Sequence, residues 1–228
     1  FNAADQIEFS GGKKNTINFE FIKGRLKARY NGSSPQTASR YFEKLYIDIP
    51  SHENKYAYII ALKANGQTLQ ALNLIDEILT KFPKNLILNI TKSEILLSGQ
   101  QLARAEQSIE KVLTISPGNY PASIIQSKIL SAKKEIIKAE EVLRDLLIKK
   151  NRDPSLWMQL SEVQRAGKNI VGYHLSRGEY YLLIGDFENA LNQFQFALRL
   201  SGNSFQASET IITKIKFAQE RLGNKRGF

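Results

Sequence analysis

Apolar positions recur along the chain with a helical period, and the pattern itself returns every 34 residues. Ala71, Ala105 and Ala139 keep that spacing, as do Ile75, Ile109 and Leu143. Ile78, Val112 and Leu146 follow it, and so do Leu79, Leu113 and Leu147. One small and three large apolar residues at steps of four, three and one occupy one face of a helix. A second amphipathic stretch lies upstream of each copy: Tyr58, Ile59 and Leu62, then Ile90, Leu96 and Leu97, then Ile124, Ile125 and Leu130. Gly66 and Gly99 fall between the two stretches of their copies, where the chain needs a positive φ or a helix stop. Pro83 and Pro117 mark the ends of two copies. Each copy therefore predicts a helix, a short turn and a second helix.

The phase then moves. From Ala139 to Ala190 is one period and a half, and half a period is one helix. The helix near 170–184 is expected to close the pair that starts at Trp157 and to open the next. Working backwards, Gly32, Leu45 and Pro50 sit one step before Gly66, Leu79 and Pro83, which gives a degenerate first pair over 14–49. Ser34-Pro35 and Asp153-Pro154 read as N-cap and first helical residue. Regular pairs cover about 50–150 and half-shifted pairs 153–201. A last helix over 203–222 carries Phe205, Ile212, Ile215 and Leu222 inward and Lys214, Lys216 and Arg221 outward, as a terminal cap. Residues 1–13 read as a flexible segment. The expected fold is all-α, a superhelical solenoid of about twelve helices in antiparallel pairs.

This period and layout resemble the tetratricopeptide repeat (TPR). Gly178, Tyr181, Gly185, Phe187, Ala190, Phe194, Ala197 and Leu198 fall on its signature positions, and Trp157 and Leu160 fit the start of another copy. Small residues there let helices approach, and large ones fill the adjoining holes. In TPR proteins the first helices of the pairs form a groove that receives a peptide or another domain. The resemblance places Tyr56, Lys63, Glu94, Lys128, Met158, Glu162 and Arg165 in that groove, with Glu179 and Leu182 extending it. His174, with Arg177 beside it, is either a packed or solvent-facing residue or a polar contact to a partner. The clamp for a C-terminal carboxylate needs Lys and Asn where this chain has Tyr56, Ile60, Ile90 and Thr91, so a chaperone-tail clamp is not expected. On the first helix, Phe19, Ile22, Leu26 and Tyr30 make one apolar stripe and Ile17, Phe21 and Ala28 another. Two stripes predict burial between two layers, or one stripe left for a further domain.

Composition narrows the chemistry. The chain has no cysteine, which removes disulfides and Cys-ligated metal. No apolar run reaches the roughly 20 residues of a membrane span. The chain begins at Phe1, so we expect a fragment or processed product, whose missing leader says nothing about export. Its net charge is +10, which raises nucleic acid, anionic lipid and acidic protein as partners. Acidic residues are interspersed throughout, which disfavours the first two. His-Glu-x-x-His and Gly-x-Ser-x-Gly are absent, so neither a zinc protease centre nor a nucleophile elbow is encoded. Gly11-Gly12-Lys13-Lys14 lacks the earlier glycine and the hydroxyl residue of a phosphate loop.

A more specific resemblance lies toward the end. Asp153-Pro154-Ser155-Leu156-Trp157-Met158-Gln159-Leu160-Ser161-Glu162, the run from His174 to Asp186 (HLSRGEYYLLIGD), Asn189–Phe194 and Ala197–Leu200 resemble the C-terminal TPR region of BepA-type (YfgC-type) zinc metalloproteases of the Gram-negative periplasm. Ile22–Tyr30 is similar to the helix that follows their protease domain. The resemblance implies a parent that pairs a zinc protease domain with this one and acts in assembly and quality control of outer-membrane proteins. It implies a periplasmic location and protein partners: the protease domain, outer-membrane substrates or the assembly machinery. No nucleic acid is implied, and membranes are approached only through partners. This chain would hold neither zinc nor another cofactor, and would have no catalytic activity. The alternatives are a freestanding TPR adaptor and a basic helical-repeat binder of nucleic acid, whose affinity would fall steeply with salt.

Overall fold

The computed structural model describes residues 14–202 and 205–226, and the regular structure there is helical. Twelve helices follow one another among the described residues: α1 (Lys14–Arg29), α2 (Pro35–Asp48), α3 (His52–Ala64), α4 (Thr68–Lys81), α5 (Leu86–Ser98), α6 (Leu102–Ile115), α7 (Tyr120–Ala132), α8 (Ile136–Lys149), α9 (Pro154–Ala166), α10 (Ile170–Leu183), α11 (Phe187–Leu200) and α12 (Phe205–Arg226). They form two compact units, which divide between Val112 and Leu113. The expected flexible segment 1–13, with Gly11, Gly12 and Lys13 of the loop motif, lies outside the described residues.

The 34-residue period is written in the turns. The amides of Gln67, Gln101, Glu135 and Asn169 donate to the carbonyls of Leu62, Leu96, Leu130 and Gln164, each at 2.9 Å. Inside each of these loops Gly66, Gln100, Lys134 and Lys168 donate to Lys63, Leu97, Ser131 and Arg165 at 3.0–3.1 Å. This pair of bonds is the Schellman motif, which satisfies the last carbonyls of a helix and needs one left-handed residue. That residue has φ of 75°, 57°, 66° and 60° at the four positions, and only the first is glycine. Gly99 is the helix stop itself, and the left-handed position falls one residue later. The opposite ends of the pairs are capped at the same interval: Ser51, Asn85, Asn119 and Asp153 each accept a backbone N–H within the first turn of α3, α5, α7 and α9. After α10 the Schellman bonds return, from Asp186 to Tyr181 at 2.9 Å and from Gly185 to Leu182 at 3.2 Å. α10 therefore has the pair-forming turn on both sides.

The repeated apolar positions form the core. Ala71, Ala105, Ala139, Ile75, Ile109 and Leu143 are fully buried. In the first unit α1 and α2 pack on α3, α3 on α4, and α4 on α5. In the second, consecutive helices from α7 to α12 pack on one another. Gly178 faces the Phe194 ring so closely that a Cβ there would fall 2.3 Å from Cε1. That contact is the physical reason for the small and large signature residues of α10 and α11.

On two helices the structure selects among the apolar positions the sequence offered. On α1 only the Phe21 side is covered; Ile22, Leu26 and Tyr30 remain exposed. Gly24 brings that covered side against α3, where a Cβ would meet the Glu53 carbonyl oxygen at 2.4 Å. A helix pressed this closely on one side offers a single buried face. On α12 the buried line is Ile211 and Ala218, with Ile212 only partly buried. Lys214, expected outward, turns to Glu179 of α10. The side chain of Phe205 lies outside the described residues.

Gln100→Gly and Lys134→Gly should each raise stability by about 0.5 kcal/mol, because relief of left-handed strain outweighs the added chain entropy. Thermal melts check this, and a fall in Tm would contradict it. Gly178→Ala should cost about 1–3 kcal/mol by overpacking the Phe194 ring. A urea titration that finds no loss would remove that contact from the account.

Candidate functional site

In the first unit the expected groove residues are engaged by α1. Phe21 is buried with its ring 5.2 Å from Tyr56 and 6.2 Å from Phe82. One turn on, Arg25 donates to both oxygens of Glu94 at 3.2 and 3.3 Å, to Thr91 Oγ1 at 2.8 Å and to Tyr56 OH at 3.1 Å. Lys63 Nζ reaches the same carboxylate at 2.7 Å, and the hydroxyls of Tyr56 and Thr91 lie 2.6 Å apart. Tyr56 is 0% exposed. Its placement in an open groove is corrected: α1 covers it with Phe21 and Arg25. Lys63 and Glu94 keep some exposure and line a cavity of about 440 Å³ with Arg25 and Arg29.

Charge holds this cluster together. Burial alone would raise the Glu94 carboxyl, but Lys63 and Arg25 outweigh it and hold it below the usual carboxylate range. Burial alone would lower the Arg25 guanidinium, but Tyr56 and Glu94 hold it above its ordinary value. One carboxylate shared by two cations, with a hydrogen bond on each oxygen, satisfies the condition under which a shielded ion pair survives desolvation.

The second unit assembles the other expected residues on α9 and α10. Met158, Glu162 and Arg165 follow one another along one face of α9. Tyr173, Arg177 and Tyr181 do the same along α10. The faces meet where Arg177 Nη1 lies 3.2 Å from Met158 Sδ. Arg177 Nη2 donates to Tyr181 OH at 2.9 Å, and the guanidinium sits 5.2 Å from the Tyr181 ring and 6.0 Å from that of Tyr173. Arg165 forks onto Glu162 at 3.0 and 2.7 Å. His174 Nδ1 is 2.8 Å from Gln193 Oε1, and its ring stacks on Phe196 at 5.3 Å. Arg199 lies over the same Phe196 ring at 4.5 Å. Lys128 is exposed on α7. Glu179 is not part of this face: it is largely buried in its ion pair with Lys214, which ties α12 to α10. Tyr173, Phe196 and Arg199 were missed by the sequence reading, and Tyr181 was read only as core. The steps of four from Tyr173 to Arg177 to Tyr181 were the available signal.

Zinc, which the protease resemblance implies for the parent, finds no ligand set here. His52 faces Glu20 at 3.7 Å and the Phe82 ring at 5.5 Å, while His174 is taken up by Gln193 and Phe196. Among the described residues no three His, Cys, Asp or Glu side chains gather as a metal site would need. No described helix is long and apolar enough to cross a membrane.

No protein-family model matches the chain, and no curated protein matches its sequence. Solved structures do match its fold. A tetratricopeptide repeat protein from Parabacteroides merdae aligns with a TM-score of 0.53 at 16% identity, over 91% of this chain and 86% of that one. A thermophilic TPR protein of Thermus thermophilus aligns with a TM-score of 0.52 at 17% identity, over 90% and 99%. The fold is that of a TPR protein. Glu94, Lys128 and Glu162 are thus one TPR position met three times, at 34-residue steps. Glu94 is used inside the protein, Lys128 is exposed, and Glu162 pairs with Arg165 on its own helix.

The Glu94 pKa is lower folded than unfolded. Its contribution is therefore complete above the ordinary glutamate value of about 4.3, and is lost as pH falls through the folded value. Urea titrations should show the first unit weakening on acidification below that range. Glu94→Gln should cost about 2 kcal/mol at pH 7 by leaving Arg25 and Lys63 without their charged acceptor, and should blunt the further acid loss. A variant as stable as the parent at pH 7, with an undiminished acid loss, would contradict this.

Proposed function

We propose that the chain is a non-catalytic protein-binding module and that a partner docks on the face made by α9, α10 and the adjoining edge of α11. The observation that carries this is the composition of the face. Tyr, Trp and Arg side chains dominate binding hot spots, and here Tyr181, Arg177, Tyr173, His174, Phe196 and Arg199 form an unbroken chain of contacts, each with the next. Phe196 is 43% exposed, and Ile170, Ile184 and Leu200, at the ends of α10 and α11, are 45–52% exposed. In the first unit the corresponding polar side chains are turned inward onto Arg25. TPR proteins commonly work as binding scaffolds, which supports the same reading.

We also propose, on the resemblance of residues 153–200 and 22–30, that this module belongs to a periplasmic zinc metalloprotease concerned with outer-membrane proteins. Zinc and catalysis would then reside in a domain outside this chain. The partner would be that domain, a substrate or the assembly machinery.

Two measurements test the two levels. A photoreactive residue at Phe196 or Ile170, installed in the source cells, should yield a covalent adduct with a protein identifiable by mass spectrometry. The same residue at exposed Leu69 of α4 should not. Equal labelling at all three positions would count against the docking face. The genomic sequence upstream of the Phe1 codon should encode an export signal and a His-Glu-x-x-His helix. An upstream region without that motif would replace the protease reading with a freestanding adaptor.

A further inference from the structure

Among the described residues, shielded cations have carboxylate partners, with one exception. Arg25 and Lys63 share Glu94, Lys55 holds Glu77, Lys92 holds Asp76 and Lys214 holds Glu179. Arg177 is half-buried and its neighbours are a thioether and phenols. A guanidinium has five N–H donors. Of these, one goes to Met158 Sδ, a weak acceptor, and one to Tyr181 OH. The Nε donor is buried with no partner. A desolvated cation served by weak acceptors is costly, and a carboxylate delivered in the guanidinium plane is the ligand that offsets the cost best. Tyr173 and Tyr181, one turn before and one turn after Arg177, hold the group by their ring faces. That fixes the fork in advance of any ligand.

The surroundings say what carries the carboxylate. Phe196, stacked on His174 and capped by Arg199, is an exposed aromatic platform, and Ile170 and Ile184 are exposed at the two ends of α10. An occupant must therefore bring apolar side chains as well as negative charge. Glu162 lies one turn along α9 from Met158, in an ion pair with Arg165. A polyphosphate backbone would run its charges past that carboxylate, whereas a peptide can place an isolated acidic residue on Arg177 and an apolar one on Phe196. The net charge of +10 is complementary to such a partner.

We propose that Arg177, held between Tyr173 and Tyr181, anchors a carboxylate side chain of an acidic, partly apolar protein segment lying along α10. This rests on the α9–α11 face being the docking surface and adds the chemistry of its ligand.

A random dodecapeptide phage library panned on the full chain supplies the probe. Selected peptides should be enriched in Asp or Glu next to an apolar residue, and panning on Arg177→Gln should lose that enrichment. For a selected peptide the dissociation constant should rise about tenfold or more in Arg177→Gln, and less in Arg177→Lys, which keeps charge but not the fork. Replacing the peptide's acidic residue by its amide should weaken binding to the parent chain but not further in Arg177→Gln, a coupling that misfolding cannot mimic. Matching thermal melts confirm that the variants fold. Peptides selected without acidic enrichment, or acidic enrichment untouched by Arg177→Gln, overturn the carboxylate anchor and leave the docking face standing. No selected peptide at all overturns the anchor as well, and the docking face is then judged by cross-linking. Tighter binding of a single-stranded dodecanucleotide, falling steeply with salt, overturns both.

Discussion

A chain that folds as helix pairs must reverse direction within three residues, and the rest of this structure depends on how it does so. The reversal is a Schellman turn with one left-handed residue, set at 66, 100, 134 and 168 and again at 185. The first four turns stand 34 residues apart, so the length between them is fixed. Because the length is fixed, a residue and its counterpart 34 positions later share a helix face. The core alanines obey this, and so do the positions of Glu94, Lys128 and Glu162. The turn geometry is retained even where the left-handed residue is Gln or Lys, so tertiary packing of the pair outweighs a local strain of about 1–2 kcal/mol.

The same repeated positions are put to different uses in the two units. In the first, Glu94 is a structural acceptor: Arg25 enters beside Tyr56 and Thr91, and Lys63 completes the charge balance. That arrangement stabilises the seat of α1 on α3 and α5. In the second unit the equivalent stretch of α9 keeps its charged residues at the surface, and α10 turns an arginine toward a methionine. The placement of α10 between two pair-forming turns explains the difference. A helix that is second in one pair and first in the next packs on α9 through Ser176, which bonds Gln164 at 2.7 Å, and on α11 through Gly178. Its remaining side carries Tyr173, Arg177 and Tyr181, each only partly covered.

Periodicity made the fold legible. Apolar spacing located the helix pairs and the half-period displacement between Ala139 and Ala190, and the Ser-Pro and Asp-Pro pairs located the N-caps Ser34 and Asp153. It could not decide between two apolar stripes on α1, because Ile22 and Phe21 differ only in which of them meets Gly24's side of the helix. On α12 it placed Ile215 on the core but took Ile212 for the buried Ile211, because a wide apolar face has a centre that only its neighbours define. The site was legible in part. Met158, Glu162, Arg165 and Arg177 lie on the facing helices α9 and α10, but Tyr56 and Glu179 are consumed by Arg25 and Lys214 from helices whose approach no local pattern encodes. Tyr181, read as a signature core residue, is that and also the hydrogen-bond partner of Arg177.

The central claim is that the side of α10 carrying Tyr173, Arg177 and Tyr181 is the binding face, while the corresponding residues of the first unit are committed to the protein itself. Amide hydrogen exchange compares these directly, in the chain alone and in the complex with its cross-linked partner. The account predicts slowed exchange in α9, α10 and the edge of α11 on binding, with α3 and α5 unchanged. Slowed exchange in α3 and α5, with α10 unaffected, would contradict it.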